Sequence, residues 1–434
     1  MKEQSGKLTY RKIFVFWLPL AATWLMMSVE GPFLAAVIAR LADPKFNLAA
    51  YGVAFSFALI IEAPVIMMMS ASTALVQDKN SFLKLRNFTY VLSAVITILM
   101  ILFIIPSIFY FFTIDLIGLP QNIADLTHTA TLILLPWPGA IGYRRFYQGI
   151  LIRNNLTHRV AYGTVLRLSS MAVTAMFLYF QKQIAGVMVG AAALSMGVIV
   201  EGIFTRFMVA STLKSICTIT EEKEEISYKK IYSFYYPLAL TSILALGVHP
   251  LVTFFVGQSR MAIESFAVLP VISSLVFVFR AVGLSYQEVG ISLVGKYWEN
   301  YKPVRNFAFF LVLSVTVTIS LIAFTPLAKI WFFDISGLSM QLTIFSFLPL
   351  QILTILPGLS VILSFQRAVL VNGRNTSPVT MATMLEVIGI TISMLITIRW
   401  LNLVGAVAAA ISFIFGRLAA NLYLVYPYRK SIIK

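Results

Sequence analysis

Nine ionisable side chains stand inside long apolar stretches of this chain: Glu30, Glu62, Glu201, Glu288, Glu386, Arg167, Arg206, Arg280 and Arg417. An ionised group at the centre of a membrane-crossing helix costs about 2.5–3.5 kcal/mol on insertion scales, so each needs a partner, water or a task. Two of the acids adjoin prolines, in Glu30-Gly31-Pro32 and Glu62-Ala63-Pro64, and a third break is expected at His249-Pro250. Proline removes a helical hydrogen bond and frees the carbonyl four residues earlier, here those of Ser28, Ile60 and Leu246. Such carbonyls are tolerated at membrane depth only where they line a cavity or find another donor. A carboxylate beside unwound carbonyls suits Na⁺ or a proton-coupled gate, and a nearby guanidinium tunes it. The plainer alternative is a kinked helix packed by its neighbours. Glu201 and Arg206, late in their stretch, read as snorkelling toward the interface, as does Arg417. Arg145, Gln148 and Arg153, with Arg144 and Arg159, gather where the fourth stretch ends and could draw an anion to the mouth of a pathway, or simply anchor the chain.

The elements that must carry these groups follow from composition. Of 434 residues, 59% are hydrophobic and 12% charged, and the mean hydropathy is +0.88. A soluble domain has about 25% charged residues, so this chain could not cover a water-facing surface and reads as a membrane protein. The net charge of +16 would suggest nucleic acid in a soluble chain, but no nucleic-acid partner is needed. Twelve apolar stretches long enough to cross about 30 Å of hydrocarbon recur, near 13–39, 47–76, 88–112, 122–143, 160–180, 184–210, 231–257, 263–294, 307–332, 340–366, 378–398 and 403–426. Alternating the loops places 23 of the 33 Lys and Arg on the side of the N-terminus. By the positive-inside rule both termini are then cytoplasmic, which accounts for the basic charge. The expected location is a bacterial inner (plasma) membrane and the expected state a monomer. One cysteine, Cys217, permits no internal disulfide. Neither a metal site nor a catalytic constellation is legible: the three histidines, His128, His158 and His249, have no ligand spacing, and no phosphate-binding glycine loop occurs. No enzyme activity and no cofactor beyond a coupling H⁺ or Na⁺ are expected.

The two halves of the chain match. Tyr10-Arg11-Lys12-Ile13 and Trp17-Leu18-Pro19-Leu20-Ala21 lie over Tyr228-Lys229-Lys230-Ile231 and Tyr235-Tyr236-Pro237-Leu238-Ala239 at an offset of 218 residues. Pro32 falls on Pro250; one residue further on in register, Arg86-Asn87-Phe88 falls on Arg305-Asn306-Phe307, Gly118 on Gly337 and Pro138-Gly139 on Pro357-Gly358. Self-similarity at half the length, with six spans in each half, predicts an all-α polytopic protein of two parallel six-helix repeats around a central cleft. The expected division is an N-lobe at 1–210, a cytoplasmic linker at 211–230 and a C-lobe at 231–434. Under the repeat, Glu62 maps to Arg280 and Arg167 to Glu386, so equivalent positions carry opposite charges. A pairing of Glu62 with Arg280 across the cleft is one reading; satisfaction of each within its own bundle is the other.

The architecture resembles the multidrug/oligosaccharidyl-lipid/polysaccharide (MOP) flippase superfamily, with its MATE-like fold. Arg145-Phe146-Tyr147-Gln148-Gly149, followed by Arg153-Asn154-Asn155, is similar to that superfamily's turn after the fourth span. Asn372-Gly373-Arg374-Asn375-Thr376 is a second copy; the first departs in carrying Asn154 where glycine is usual. Within the superfamily the openings Phe16-Trp17-Leu18-Pro19-Leu20 and Phe234-Tyr235-Tyr236-Pro237-Leu238, with Leu48-Ala49-Ala50-Tyr51-Gly52, resemble the progressive ankylosis proteins. That resemblance implies export of anionic metabolites such as citrate, nucleotide phosphates or pyrophosphate. The wider superfamily implies instead a MATE-like multidrug cation antiporter or a flippase for lipid-linked substrates. The expected function is therefore a secondary exporter of a small polar, anionic solute working by alternating access. Glu30, Glu62, Arg280, Arg167, Glu386, His249 and Glu288 form the candidate substrate and coupling-ion set, and Pro32, Pro64 and Pro250 the helix breaks.

Overall fold

In hydrocarbon every amide must find its partner within the chain, so apolar stretches of this length close into helices. The computed structural model describes residues 8–154, 156–181, 183–218, 226–295, 298–373 and 377–433. The charge run from Glu221 to Glu225 and the motif residues Asn155, Arg374, Asn375 and Thr376 lie outside the described residues. Among those described, eleven helical runs are long and apolar enough to cross a membrane. The remaining expected stretch, 122–143, is divided at Leu134–Pro136 into two shorter helices, which accounts for the twelfth.

The helices of the first half are α1 (Tyr10–Ser28), α2 (Glu30–Ala39), α3 (Pro44–Glu62), α4 (Met68–Leu75), α5 (Lys79–Ile104), α6 (Pro106–Tyr110), α7 (Gln121–Ile133), α8 (Trp137–Arg153), α9 (Thr157–Gln181), α10 (Gly186–Met208) and α11 (Ala210–Thr218). Those of the second are α12 (Tyr228–Leu246), α13 (Val248–Gly257), α14 (Ala262–Leu293), α15 (Tyr301–Phe324), α16 (Leu327–Lys329), α17 (Met340–Leu353), α18 (Leu356–Asn372), α19 (Ser377–Leu395) and α20 (Gly405–Ile433).

The internal repeat reaches down to single hydrogen bonds. Wide π-turns close the third and ninth spans at Phe111–Leu116 and Ile330–Ile335, followed by Gly118 (φ 84°) and Gly337 (φ 75°) in the left-handed region that glycine enters without steric cost. The amide of Val187, at the start of α10, donates to Asn47 Oδ1 at 2.9 Å, and its counterpart Ala406, at the start of α20, donates to Ser265 Oγ at 2.9 Å. Each side chain thus satisfies an orphan donor of a helix start, from the same place in each half.

By packing, the chain groups into two compact units: residues 1–36 with 259–434, and residues 37–258. These do not coincide with the sequence halves, because each half's first span packs with the other half's later spans. In the first unit, Trp17 of α1 is buried and donates its indole N–H to Ser285 Oγ of α14 at 2.8 Å. In the second, its counterpart Tyr235 of α12 is buried and donates its hydroxyl to the carbonyl of Pro64. Ile13 and Ile231 occupy matching places in the two cores.

Helix breaks accompany the prolines. The first span is interrupted at Val29, three residues before Pro32, and the seventh at Gly247, three residues before Pro250. The second is interrupted over 63–67, around Pro64. Here one expectation is corrected: Ile60's carbonyl is not left free, since the Ala63 amide donates to it at 3.3 Å in a tightened last turn. The second and eighth spans differ, for α14 runs unbroken through the position equivalent to Pro64, which is Val282.

Candidate functional site

In the unit of residues 37–258 a charge network forms where α3, α8, α9 and α10 converge. Arg144 and Gln148, four residues apart on α8, point from one helical face. Both reach Glu201 of α10: Arg144 forms an ion pair with it, and the Gln148 amide donates to Oε1 at 2.9 Å. Arg167 of α9 brings its Nε to 3.4 Å from Glu201 Oε2. Close approach of α9 and α10 makes this reach possible, because a Cβ at Gly197 would stand only 3.2 Å from the carbonyl oxygen of Arg167. Glu201 is wholly buried and Arg144, Gln148 and Arg167 nearly so.

This overturns the snorkelling expectation for Glu201. A carboxylate held by two guanidiniums and an amide is retained inside, where one such partner alone would leave charge uncompensated. Arg206 does behave as a rim residue: it is exposed and sits over the Tyr147 ring at 5.5 Å.

Glu62, the last residue of α3, is buried, and its Oε2 has no hydrogen-bond partner among the described residues. The charges acting on it are Arg145, Arg144 and Arg167, all of its own unit. Arg145 is half-buried; its guanidinium contacts Met69 Sδ at 3.6 Å, and its Nε is buried without a hydrogen bond. Glu62 also borders the 63–67 break, whose Pro64 carbonyl Tyr235 holds. The cluster therefore sets three guanidiniums against two carboxylates, one of them beside a discontinuity in the backbone.

The unit of residues 1–36 with 259–434 holds the counterpart cluster, with the signs rearranged. Glu386 of α19, at the position equivalent to Arg167, accepts from Arg417 of α20 at 2.7 Å. Again a glycine admits the contact, since a Cβ at Gly416 would come within 2.6 Å of the Glu386 carbonyl oxygen. Arg417 is buried and also reaches Ser360 Oγ at 3.4 Å, so the snorkelling expectation fails for it too. Arg367 of α18, equivalent to Gln148, donates to Thr383 Oγ1 at 3.1 Å and has no carboxylate within ion-pair distance among the described residues. Arg280 of α14, equivalent to Glu62, is half-buried, faces the charges of Arg417 and Glu386, and has a buried Nε without a hydrogen bond. Three guanidiniums here meet one carboxylate.

Of the residues singled out from sequence, Glu62, Arg167, Arg145 and Gln148 meet in one cluster and Arg280 and Glu386 in the other. Glu30 opens α2, half-buried, where α1 gives way at Val29; the neighbouring Gly31 packs so closely on α14 that a Cβ would lie 2.8 Å from Ser274 Cβ. His249 and Glu288 are exposed and outside both clusters. Arg153 is exposed and donates to the carbonyls of Thr73 and Ala74 at 2.8 and 3.1 Å, tying off the end of α4. Glu201, Arg144, Arg367 and Arg417 were not in the candidate set. The spacing of Arg144 and Gln148 was the available signal, together with a glutamate two spans later. Among the described residues no group of three or more His, Cys, Asp or Glu could hold a metal ion.

An all-helical membrane protein with a duplicated, proline-broken span pattern and paired intramembrane charge clusters defines a class, and comparison of folds agrees. The chain is similar to an inward-facing multidrug resistance MATE family transporter of the MOP superfamily: TM-score 0.76, 17% identity, 95% of this chain and 98% of that one. It is similar to the lipid II flippase MurJ in an inward closed conformation, with TM-score 0.72, 16% identity and 96% and 89% coverage. An outward-facing MATE transporter also matches, with TM-score 0.68, 17% identity and 99% and 96% coverage. The fold is therefore MATE-like. No curated protein matches the chain by sequence. The family model described as Progressive ankylosis protein (ANKH) matches residues 1–278, and the chain belongs to that family.

Proposed function

We propose that the chain is a secondary transporter that moves a small polar, anionic solute outward by alternating access, coupled to H⁺ or Na⁺, from a bacterial inner membrane with both termini cytoplasmic. The observation that carries this reading is the surplus of guanidinium over carboxylate in each cluster, greatest around Arg280 and Arg367. Guanidinium groups present forked donors that match carboxylate and phosphate oxygens, and an unpaired one inside a membrane protein favours an anion. A site built for organic cations would need the reverse surplus, which disfavours multidrug cation antiport. Glu62 is the coupling candidate: it is buried, lacks a hydrogen bond on Oε2 and adjoins a backbone break, so a change in its charge can bias a two-state segment.

Purified protein in proteoliposomes supplies the test, with labelled citrate and a cationic dye each offered under a pH or Na⁺ gradient. Saturable, gradient-dependent citrate movement without dye movement is the expected result, and Glu62→Gln should retain citrate movement while flattening its dependence on the gradient. Dye movement without citrate movement would replace the anion reading with the multidrug one.

A further inference from the structure

The repeat offers an internal control at the basic end of each unit. In residues 37–258 the space between α5 and α8 is filled by three tyrosines. Tyr90 and Tyr143 stack with ring centroids 6.1 Å apart, Tyr143 meets Tyr147 edge-on at 4.8 Å, and the Tyr90 and Tyr147 hydroxyls are 2.9 Å apart. Arg86 lies over the Tyr90 ring and donates to Asn87 Oδ1 at 3.1 Å.

In the other unit the same three positions are Phe309, Ile362 and Gln366, and the space is open. A groove of about 120 Å³ lies among α15, α18 and α20, walled by Ala308, Phe309, Val312, Ile362 and Phe365. Arg305, Gln366 and Tyr428 close its polar end. Two polar atoms there have no partner among the described residues: Arg305 Nε, a donor, and Gln366 Oε1, an acceptor on a side chain 6% exposed. The Arg305 guanidinium lies over the Tyr301 ring at 5.6 Å and donates to Asn306 Oδ1 at 3.4 Å, which sets a half-buried positive charge at the polar end of an otherwise apolar groove. Lys302, Arg429 and Lys430 stand exposed at neighbouring chain positions, and Phe309, Phe310 and Leu313 present exposed apolar surface along the wall helix.

We infer that this groove, lined by Arg305, Gln366 and Ile362, is a binding site for an anionic phospholipid, one acyl chain lying along the apolar wall. The phosphate accepts from the Arg305 guanidinium, and the exposed basic residues add attraction for anionic lipid. The groove is well below the size of a drug or metabolite pocket, which fits part of a chain and not a whole soluble ligand. The matching place in the other unit carries its own tyrosine filling, so one such lipid site per chain is expected.

Native mass spectrometry of the full-length protein, released from nanodiscs containing equal phosphatidylglycerol and phosphatidylcholine, tests this, with thermal stability on lipid addition as a second readout. The wild type should retain phosphatidylglycerol at least tenfold over phosphatidylcholine and melt higher when it is added, while glycerol phosphate alone has no effect. Arg305→Ala should lose the preference, and Ile362→Tyr with Gln366→Tyr, which rebuilds the filling of the other unit, should lose retention while still folding. Equal retention of the two lipids by the wild type, undiminished phosphatidylglycerol in the filled variant, or protection by glycerol phosphate alone would overturn the assignment.

Discussion

In residues 37–258, Glu201 draws Arg144, Arg167 and Gln148 onto one carboxylate, and the second acid, Glu62, faces the same arginines. In residues 1–36 with 259–434, among the described residues, Glu386 pairs with Arg417, Arg367 rests on a threonine hydroxyl, and Arg280 has no carboxylate within ion-pair distance. Positions equivalent under the repeat, Glu62 with Arg280 and Arg167 with Glu386, carry opposite charges. One cluster is nearly closed on itself, with Glu62 Oε2 lacking a hydrogen bond among the described residues, and the other holds guanidinium in excess of carboxylate. A symmetric pair of sites would need one ligand chemistry for both. Under the proposed function this asymmetry would let anion and coupling ion bind in different places.

The contrast can be broken at several points. The largest expected effect is on stability: Glu201→Ala leaves buried guanidiniums uncompensated and should cost about 3–5 kcal/mol, read from thermal melts of solubilised protein. Glu386→Ala, which frees one arginine at a less buried position, should cost about 1–3 kcal/mol. Equal losses would mean that the two networks are not differently closed. Next, Arg280→Gln and Arg367→Gln should each reduce citrate uptake tenfold or more while shifting stability by less than about 1 kcal/mol, since neither breaks an ion pair. A melt shift as large as that of Glu201→Ala would assign them a structural task instead. The smallest effect concerns the exchanged first spans. Tyr235→Phe removes one hydrogen bond to the Pro64 carbonyl and should cost about 1 kcal/mol, while altering the gradient dependence of uptake more than Trp17→Phe does. Trp17 is bonded to an unbroken helix, so the pair of variants separates a local contact from an effect on the 63–67 break.

Much of this is legible in the sequence. Apolar length fixes the number of spans, and matched prolines and glycines fix the repeat, because both are one-dimensional signals. Glu62 with Arg280 and Arg167 with Glu386 stood out through the same register. Glu201 and Arg417 did not, because sequence gives depth along a helix but not which face meets which neighbour. They are not at equivalent positions either: the residue equivalent to Glu201 is Ala420, one turn beyond Arg417. Arg144 and Arg367 were absorbed into the count of basic loop residues, where a buried arginine near a helix end looks like an anchoring one. The exchange of first spans between units was invisible as well, since apolar helices carry no mark of which bundle they join.

That exchange bears on how the polypeptide is made. Residues 37–258 are a contiguous run and can assemble as soon as α13 has left the ribosome. α1 is synthesised well before its partner, for the helix that buries Trp17 ends at Leu293. For the intervening time its apolar flank must be shielded by lipid or by the insertion machinery, so truncated chains ending before α14 should present an unassembled first helix to quality-control proteases.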